Sequence, residues 1–277
     1  MTSDTNNAVP AGYARTFRSG LLVTLWLLAC CPGRAAETVS VFAPAKQPML
    51  EFALGDLRSA LTKRGVGVQT AAWDSADIVL LDAAAYRSLS GSSNGTPKVD
   101  FDFKPEGFSL QKTSGGRIWI IGADDAGLMY GTLELAEQIR LHGRAGVRAT
   151  SQNPHLAERG VKFNIPLDLR TPTYTDPGEA SQQNMAEMWS LDFWTGFIDR
   201  LARHRYNMIS LWNLHPFPSM VKVPDYPDIA LNDVVRTKVP IRRFFELGNG
   251  QTCPDLMGDT EVIKRITIEE KIEFWRN

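Results

Sequence analysis

The chain has 277 residues, of which 43% are hydrophobic and 22% are charged, and its formal net charge is −1 at pH 7. This length and composition fit a globular protein of one or two domains that can bury a substantial core. The near-neutral balance argues against a broadly basic surface, so we expect no nucleic acid partner. An anionic ligand would need basic residues placed locally.

The first 36 residues predict a secretory signal peptide. Arg15 and Arg18 precede the apolar run Leu21–Cys30, and small residues follow it. This order is typical of a signal sequence, and a run of about ten residues is too short to span a membrane. We therefore expect a periplasmic or secreted protein. The run ends in Leu-Leu-Ala-Cys, so the alternative is a lipoprotein signal with a lipid anchor on Cys30, the one membrane attachment that we expect.

Cysteine and histidine usage indicates neither a disulfide nor a metal site. Cys30 and Cys31 lie in the signal segment, which leaves Cys253 alone in the mature chain, as a loop residue. The four histidines show no spacing typical of metal ligands, and no glycine-rich nucleotide-binding motif is present. We expect no metal and no cofactor.

Residues 37–145 predict a small α/β domain with a mixed sheet. Alternating or continuous apolar residues predict strands, and apolar residues three and four apart predict helices. Ser114-Gly-Gly116 indicates a hairpin. The expected strands are 38–43, 66–71, 76–81, 107–113 and 117–121, and the expected helices are 50–64 and 124–140. A polar linker over residues 146–158 follows.

Residues 159–277 begin a second kind of architecture. A strand at 161–165, a helix at 190–204 and a strand at 207–212 predict one βαβ unit. A long loop to about residue 258 and a helix that Thr267–Glu270 opens with a capping box complete the expected elements. The residues from Arg159 onward amount to about half of the roughly 250 in a complete (β/α)8 barrel. We therefore expect a truncated TIM barrel with exposed apolar faces and poor solubility.

The segment from Arg117 to Pro166 resembles the junction between accessory domain and barrel in glycoside hydrolases of the hexosaminidase and α-glucuronidase type. The matching residues are Asp124 or Asp125, Gly127, Tyr130-Gly131, Glu134-Leu135, Glu137-Gln138 and Arg159-Gly160. The resemblance implies an accessory α/β domain followed by a TIM barrel, with hydrolysis of O-glycosyl bonds in full-length relatives. It implies a carbohydrate partner, and it gives Arg159 a role in gripping sugar hydroxyls.

The ends of the two predicted barrel strands supply the other candidate substrate-binding residues. Chemistry in a TIM barrel sits at the carboxyl ends of its strands. There we expect Trp212 to stack on a sugar, with Asn164, Asp168, Asn213 and His215 as polar contacts. The alternatives are a core aromatic for Trp212, loop capping for Asn213 and His215, and a structural ion pair beneath the barrel for Arg159.

Catalysis by the chain itself is not expected. Glycoside hydrolysis usually needs two carboxyl groups, and the adjacent Asp-Glu pair of the hexosaminidase branch is absent. Carboxylates in the loops after the two strands are typical of solvated or capping groups. The catalytic residues stay unknown, and we expect them on strands that this chain lacks. The hypothesis is an inactive glycoside hydrolase-like protein; the alternatives are a non-catalytic carbohydrate-binding or interaction module and a product without function.

Overall fold

The computed structural model describes residues 37–44, 47–90, 95–171, 179–213, 217, 219–239 and 257–276. The predicted signal peptide, with its alternative anchor at Cys30, lies outside these residues. Cys253 and His215 lie outside them as well, so their predicted roles stay predictions.

Six strands in the first half of the chain form a mixed sheet, which confirms the predicted sheet and adds one strand to the five expected. The elements are β1 (Thr38–Phe42), α1 (Pro48–Thr62), β2 (Gly67–Thr70), β3 (Ile78–Asp82), α2 (Ala83–Ser90), β4 (Phe108–Lys112), β5 (Ile118–Gly122), α3 (Asp125–His142) and β6 (Thr150–Gln152). The strand order is β2-β1-β3-β5-β4-β6, parallel from β2 to β5 and antiparallel around β4. The sequence did not predict α2, whose short alanine-rich segment lacks a clear apolar period.

Apolar runs in β3 and β5 allow the sheet to be covered on both faces, which is typical of parallel strands. Ile78 and Ile120 pack with α1 and α3, whereas their neighbours Val79 and Trp119 pack on the other side with Tyr86 of α2. The alternation follows from the two-residue period of a strand. The two clusters make up most of the core of this half.

Helix α3 is held close to the sheet by the residues that carry the family resemblance. Asp124 caps the helix, because its side chain accepts a hydrogen bond from the Gly127 backbone N–H at 2.8 Å. A Cβ on Gly127 would overlap the carbonyl oxygen of Gly107, and one on Gly131 would lie 2.6 Å from Ile120 Cγ2. Both glycines therefore permit a close approach of helix and sheet.

The predicted linker 146–158 is partly a strand. Thr150–Gln152 pairs with β4 as the edge of the first sheet, with Ser109 opposite Ser151. The hydroxyls of these two serines lie 2.7 Å apart. A three-residue polar strand leaves too short a pattern to be read from sequence. The division into 37–145, 146–158 and 159–277 otherwise stays a prediction.

The second half contains the predicted βαβ unit. Its elements are β7 (Gly160–Asn164), α4 (Glu179–Asn184), α5 (Leu191–Arg203), β8 (Met208–Trp212), β9 (Asp233–Thr237), β10 (Thr260–Arg265) and α6 (Ile268–Phe274). β7 and β8 are parallel, with α5 between them in sequence, which confirms this part of the fold. The predicted capping box of α6 is also confirmed by the reciprocal bonds of Thr267 and Glu270.

The expectation of a long loop up to residue 258 is wrong at β9, which pairs antiparallel with β10. Val234 and Val235 of β9 are buried, with Val234 packing among the residues around Trp189. The partner of β9 lies more than twenty residues away, and such a pairing leaves no local signal.

Searched over the described residues, no helix has the length and apolarity that a membrane crossing needs.

Two ion pairs join the halves at the amino ends of β7 and β8. Arg159 pairs with Glu106, and Arg205 pairs with Glu134 of α3. Glu106 and Arg205 both have a φ of 62°, and they are the non-glycine residues with positive φ in the described part of the chain. A left-handed backbone at such residues persists where surrounding contacts hold it.

Candidate functional site

The carboxyl ends of β7 and β8 bring two predicted site residues side by side. Asn164 is paired with Trp212 in the parallel register, and Lys162 is paired with Ser210. Because paired residues of parallel strands share a face, these four side chains lie on one side of the two strands. We call Lys162, Asn164, Ser210 and Trp212 the open face.

The opposite side of β7 and β8 is the one that α5 covers. The ring of Phe163 lies 5.2 Å from that of Phe197 and 5.6 Å from that of Trp194, measured between centroids. Ile209 of β8 joins the same apolar cluster. Trp212 is not part of this apolar cluster. On the side covered by α5, it is therefore not the core aromatic residue that was the alternative to sugar stacking.

On the open face, Lys162 lies over the indole of Trp212. Its Nζ is 4.7 Å from the ring centroid, within the range of a cation–π interaction. Trp212 is half-buried and Lys162 is exposed. Lys162 was not among the predicted site residues, although a charged residue inside a parallel strand is an unusual feature of the sequence. An aromatic ring, an amide and an ammonium group thus lie on the same side of the two strands.

Asn213 follows this surface and ties the two strand ends together. Its Nδ2 donates to the carbonyl oxygen of Ile165 at 2.7 Å, and the Ile165 N–H donates to the carbonyl oxygen of Trp212 at 2.9 Å. The first of these bonds is a loop-capping contact, which was the alternative role expected for Asn213. Contact of Asn213 with sugar hydroxyls stays a prediction.

Asp168 lies at the centre of a buried network. Its carboxylate accepts hydrogen bonds from Nε of Arg170 at 2.7 Å and from the backbone N–H of Val235 at 2.9 Å, and its side chain is 0% exposed. Hydrogen bonds to Asp168, together with those to Asp233, outweigh burial and raise the pKa of Arg170. Contact between Asp168 and a substrate would require this network to open, so its predicted binding role remains untested while its structural role is clear.

Next to this network lies a buried lysine that the sequence analysis also missed. Lys271 is 0% exposed, and its Nζ donates to the carbonyl oxygens of Leu231 at 2.9 Å and Asp233 at 2.7 Å. The ammonium lies 5.2 Å from the ring centroid of Trp189. Burial lowers the pKa of Lys271 from 10.5 to about 8. The sequence signal was its position three residues after Ile268, on the apolar side of α6.

Arg159 lies at the other end of β7 from Asn164. Its Nε donates to the carbonyl oxygen of Arg205 at 2.7 Å, and its guanidinium pairs with Glu106. The full length of the strand separates it from Trp212. The contacts are those of the structural ion pair that the sequence left as the alternative, and the structure does not bring Arg159 to the open face.

No metal site is formed by the residues that the structure describes, since no three His, Cys, Asp or Glu side chains cluster among them. The expected absence of a metal and a cofactor stays a prediction for the chain.

No protein-family model and no curated protein matches this chain. Among solved structures, it is similar to a GH138 enzyme targeting pectin rhamnogalacturonan II, with 23% identity, a TM-score of 0.49 and coverage of 69% of this chain and 26% of that one. It is also similar to a GH115 4-O-methyl-α-glucuronidase with specificity for decorated arabinogalactans. The identity is 16%, the TM-score is 0.43, and the match covers 63% of this chain and 25% of that one.

A glycoside hydrolase family 20 β-N-acetylglucosaminidase is similar at 15% identity and a TM-score of 0.38, over 72% of this chain and 33% of that one. The chain therefore spans about a quarter to a third of the length of these structures.

Proposed function

We propose that this chain is a glycoside hydrolase-like protein that binds carbohydrate on the open face of β7 and β8. The observation that carries the proposal is the pairing of Asn164 with Trp212 at the carboxyl ends of two parallel strands. An aromatic ring beside a polar side chain is suited to a sugar, which offers an apolar ring face and hydroxyl groups. The junction motif around α3 supports the same reading.

The proposal assigns hydrolysis to longer relatives and not to this chain. A glycosidase needs a carboxyl group free to exchange a proton or attack the sugar. Asp168, the carboxylate that follows β7, is instead engaged by Arg170 and Val235. A second candidate function, a non-catalytic carbohydrate-binding module, is favoured by this same engagement.

We further propose that the protein is exported, because residues 1–36 have the order of a signal sequence. Attachment to a membrane through Cys30 is the alternative. Mass spectrometry of the mature amino terminus separates the two, since a lipidated Cys30 and a cleaved, unmodified terminus differ in mass.

Titration of the full chain with sugars tests the binding site. We expect Trp212→Ala to weaken the binding of any sugar that the chain takes by about tenfold or more, because the stacking surface is lost. Tyr226→Ala, at an exposed aromatic residue that belongs to neither β7 nor β8, is the matched control. Equal affinity in both variants would reject this face as the site.

Assay with aryl glycosides then separates the two functions. We expect no turnover by the 277-residue chain. Turnover that disappears on Glu179→Gln, or on Asp168→Asn in a variant whose circular dichroism spectrum shows that it is folded, would show that the chain is an active enzyme and would contradict the proposal.

A further inference from the structure

One edge of β8 is open in the described part of the chain, where β7 is the strand that pairs with it. The N–H of Met208 and the carbonyl oxygen of Trp212 both bond to the residues that flank β7. In a parallel ladder, alternate residues of a strand bond to the same neighbour. The backbone N–H and C=O groups of Ile209 and Leu211 therefore point to the open edge.

The sequence of β8 does not protect this edge. Proteins commonly guard an edge strand with a charged side chain, a proline or a bulge. Met208–Trp212 contains no charge and no proline, and its register with β7 is regular. Leu211 is exposed, although its side chain lies on the side that α5 covers. Among the described residues, nothing therefore prevents a further strand from pairing here.

The flank of α5 next to this edge is apolar as well. Leu191, Thr195 and Ile198 lie on one side of the helix, at spacings of four and three residues. They line a groove together with Ile209 and Leu211 of β8, and both Leu191 and Ile198 are exposed. An occupant that adds only a strand leaves this groove uncovered, so the occupant must bring an apolar element beside its strand.

We propose that the occupant is a second copy of this chain, in a dimer formed by antiparallel pairing of the two β8 strands. With the two-fold axis at Ser210, Ile209 of each copy lies opposite Leu211 of the other. Both are then hydrogen-bonded pairs, and all the edge-facing backbone groups of these residues find partners. A shifted register would place one member of each pair outside the strand, so the length of β8 selects this one.

The same symmetry covers the groove. The aromatic residues of α5 pack with Phe163 of β7 and Ile209 of β8, so the helix lies over both strands. Two such helices, related by an axis between the two β8 strands, lie about two strand spacings apart. This is roughly 10 Å, a distance at which helices pack. Leu191 and Ile198 of each copy are thus covered by α5 of the other.

The dimer also joins the two open faces. Pairing about this axis produces a four-stranded sheet with both open faces on one side and both α5 helices on the other. Met208 of one copy then lies opposite Trp212 of the other, so each copy adds a side chain beside the ring of its neighbour. The inference goes beyond the proposed carbohydrate site and does not depend on it.

Disulfide trapping tests the register, in a full chain whose Cys30, Cys31 and Cys253 are replaced by serine. Ser210→Cys places two thiols at a non-hydrogen-bonded antiparallel pair. The Cα atoms of such a pair are about 4.5 Å apart, which a disulfide can span. We expect most of this variant to become a covalent dimer under mild oxidation.

Met208→Cys is the matched control, because Met208 is exposed on the same strand and the same side as Ser210. In the proposed register the two copies of residue 208 are four residues apart along the paired strands. This separation is roughly 14 Å, which no disulfide spans. We expect this variant to cross-link at least about tenfold more slowly than Ser210→Cys.

Sedimentation velocity of the purified full chain measures the dimer itself. We expect a species of twice the chain mass. Leu211→Lys should raise its dissociation constant by about tenfold or more, because it places like charges near the axis and guards the edge. Val262→Lys, at an exposed residue of β10, should leave the dissociation constant unchanged. Circular dichroism spectra identical to that of the wild type show that the variants are folded.

Three results would each overturn the inference. The first is cross-linking of Ser210→Cys that is no faster than that of Met208→Cys. The second is a dissociation constant that Leu211→Lys raises no more than Val262→Lys does. The third is a chain that sediments as a monomer, or as larger species without a dimer. A dimer that forms with either of the first two results uses another surface.

Discussion

Asp168 shows how a residue at a predicted functional position can be used for structure. Its carboxylate connects the segment after β7 to β9, through Arg170 and the backbone of Val235. A buried carboxylate with such partners is costly to alter, because Arg170 keeps Asp233 but loses its buried ion pair, and the Val235 N–H loses a charged acceptor.

We therefore expect Asp168→Asn to lower the free energy of unfolding by about 2 kcal/mol, measured by urea denaturation. Asp228→Asn, an exposed carboxylate in the same half, should change it by less than about 0.5 kcal/mol. Equal small effects in the two variants would show that the Asp168 network contributes little.

Lys271 should give the stability a specific pH dependence. Its pKa is about 8 in the folded chain, against 10.5 ordinarily. Between these values the unfolded chain binds more protons than the folded one, so the Lys271 contribution becomes more favourable as pH rises from 8 towards 10.5. Below the folded-state pKa the penalty of burying the ammonium is fully present.

The measurement is the difference in unfolding free energy between wild type and Lys271→Met, at about pH 7.5 and about pH 9.5, on either side of the folded-state pKa. We expect the wild type to gain stability relative to the variant at the higher pH. Asp168, Arg170 and Asp233 are the charged groups that face Lys271, and the substitution leaves all three in place. A difference that does not move with pH would contradict the burial of a titrating amine.

At the scale of elements, the close packing of α3 on the sheet depends on glycine. We expect Gly127→Ala to destabilise the protein by about 2 kcal/mol, because the added methyl group overlaps the Gly107 carbonyl oxygen. Gly196→Ala is the matched helical control in α5. Nothing described lies within 4 Å of its added Cβ, so higher helix propensity should stabilise the protein by up to about 1 kcal/mol.

Thermal unfolding of both variants measures the contrast. Opposite signs are expected, and a stabilised Gly127→Ala would mean that helix and sheet can separate without cost. The pair also tests whether the motif residue Gly127 is required for packing.

The elements that the sequence predicted are those with local signals. Helix α3 was expected over 124–140 and runs over Asp125–His142, because its cap and its apolar residues are close in sequence. β7 and β8 have apolar residues at alternate positions, a pattern that is readable from each strand alone. β6, β9 and β10 were missed, since each is defined by a partner that is distant in sequence.

The same distinction applies to the candidate site. The neighbourhood of Asn164 and Trp212 follows from strand ends, so the sequence could predict it. The burial of Asp168 depends on Arg170 and on Val235, 67 residues further along, and no local pattern shows this. Arg159 was placed in the site by resemblance, although the sequence already put it at the start of its strand, and only the fold reveals its partner Glu106, 53 residues away.

For the whole molecule, exposed apolar side chains on α5 indicate association. Leu191 is 65% exposed and Ile198 is 52% exposed, and both line a groove of about 410 Å³ that also contains Leu211 and Trp275. Exposed patches of this kind usually mark contact surfaces or cause aggregation. We expect the purified chain to self-associate at micromolar concentration.

The double variant Leu191→Lys, Ile198→Lys should reduce this association, measured by sedimentation velocity. Leu156→Lys, which replaces a residue that is 62% exposed outside the groove, should leave it unchanged. A wild-type chain that sediments as a monomer and melts cooperatively would contradict the expectation.

The ion pair of Arg205 with Glu134 has a consequence for how this chain can vary in length. Arg205 lies in the turn between α5 and β8, where its left-handed backbone and its partner on α3 fix where β8 begins. One inserted or deleted residue after this turn would rotate every side chain of β8 to the other face. Trp212 would then point at α5 and Leu211 at the open face. Only insertions or deletions of an even number of residues after this turn would keep Trp212 on the open face.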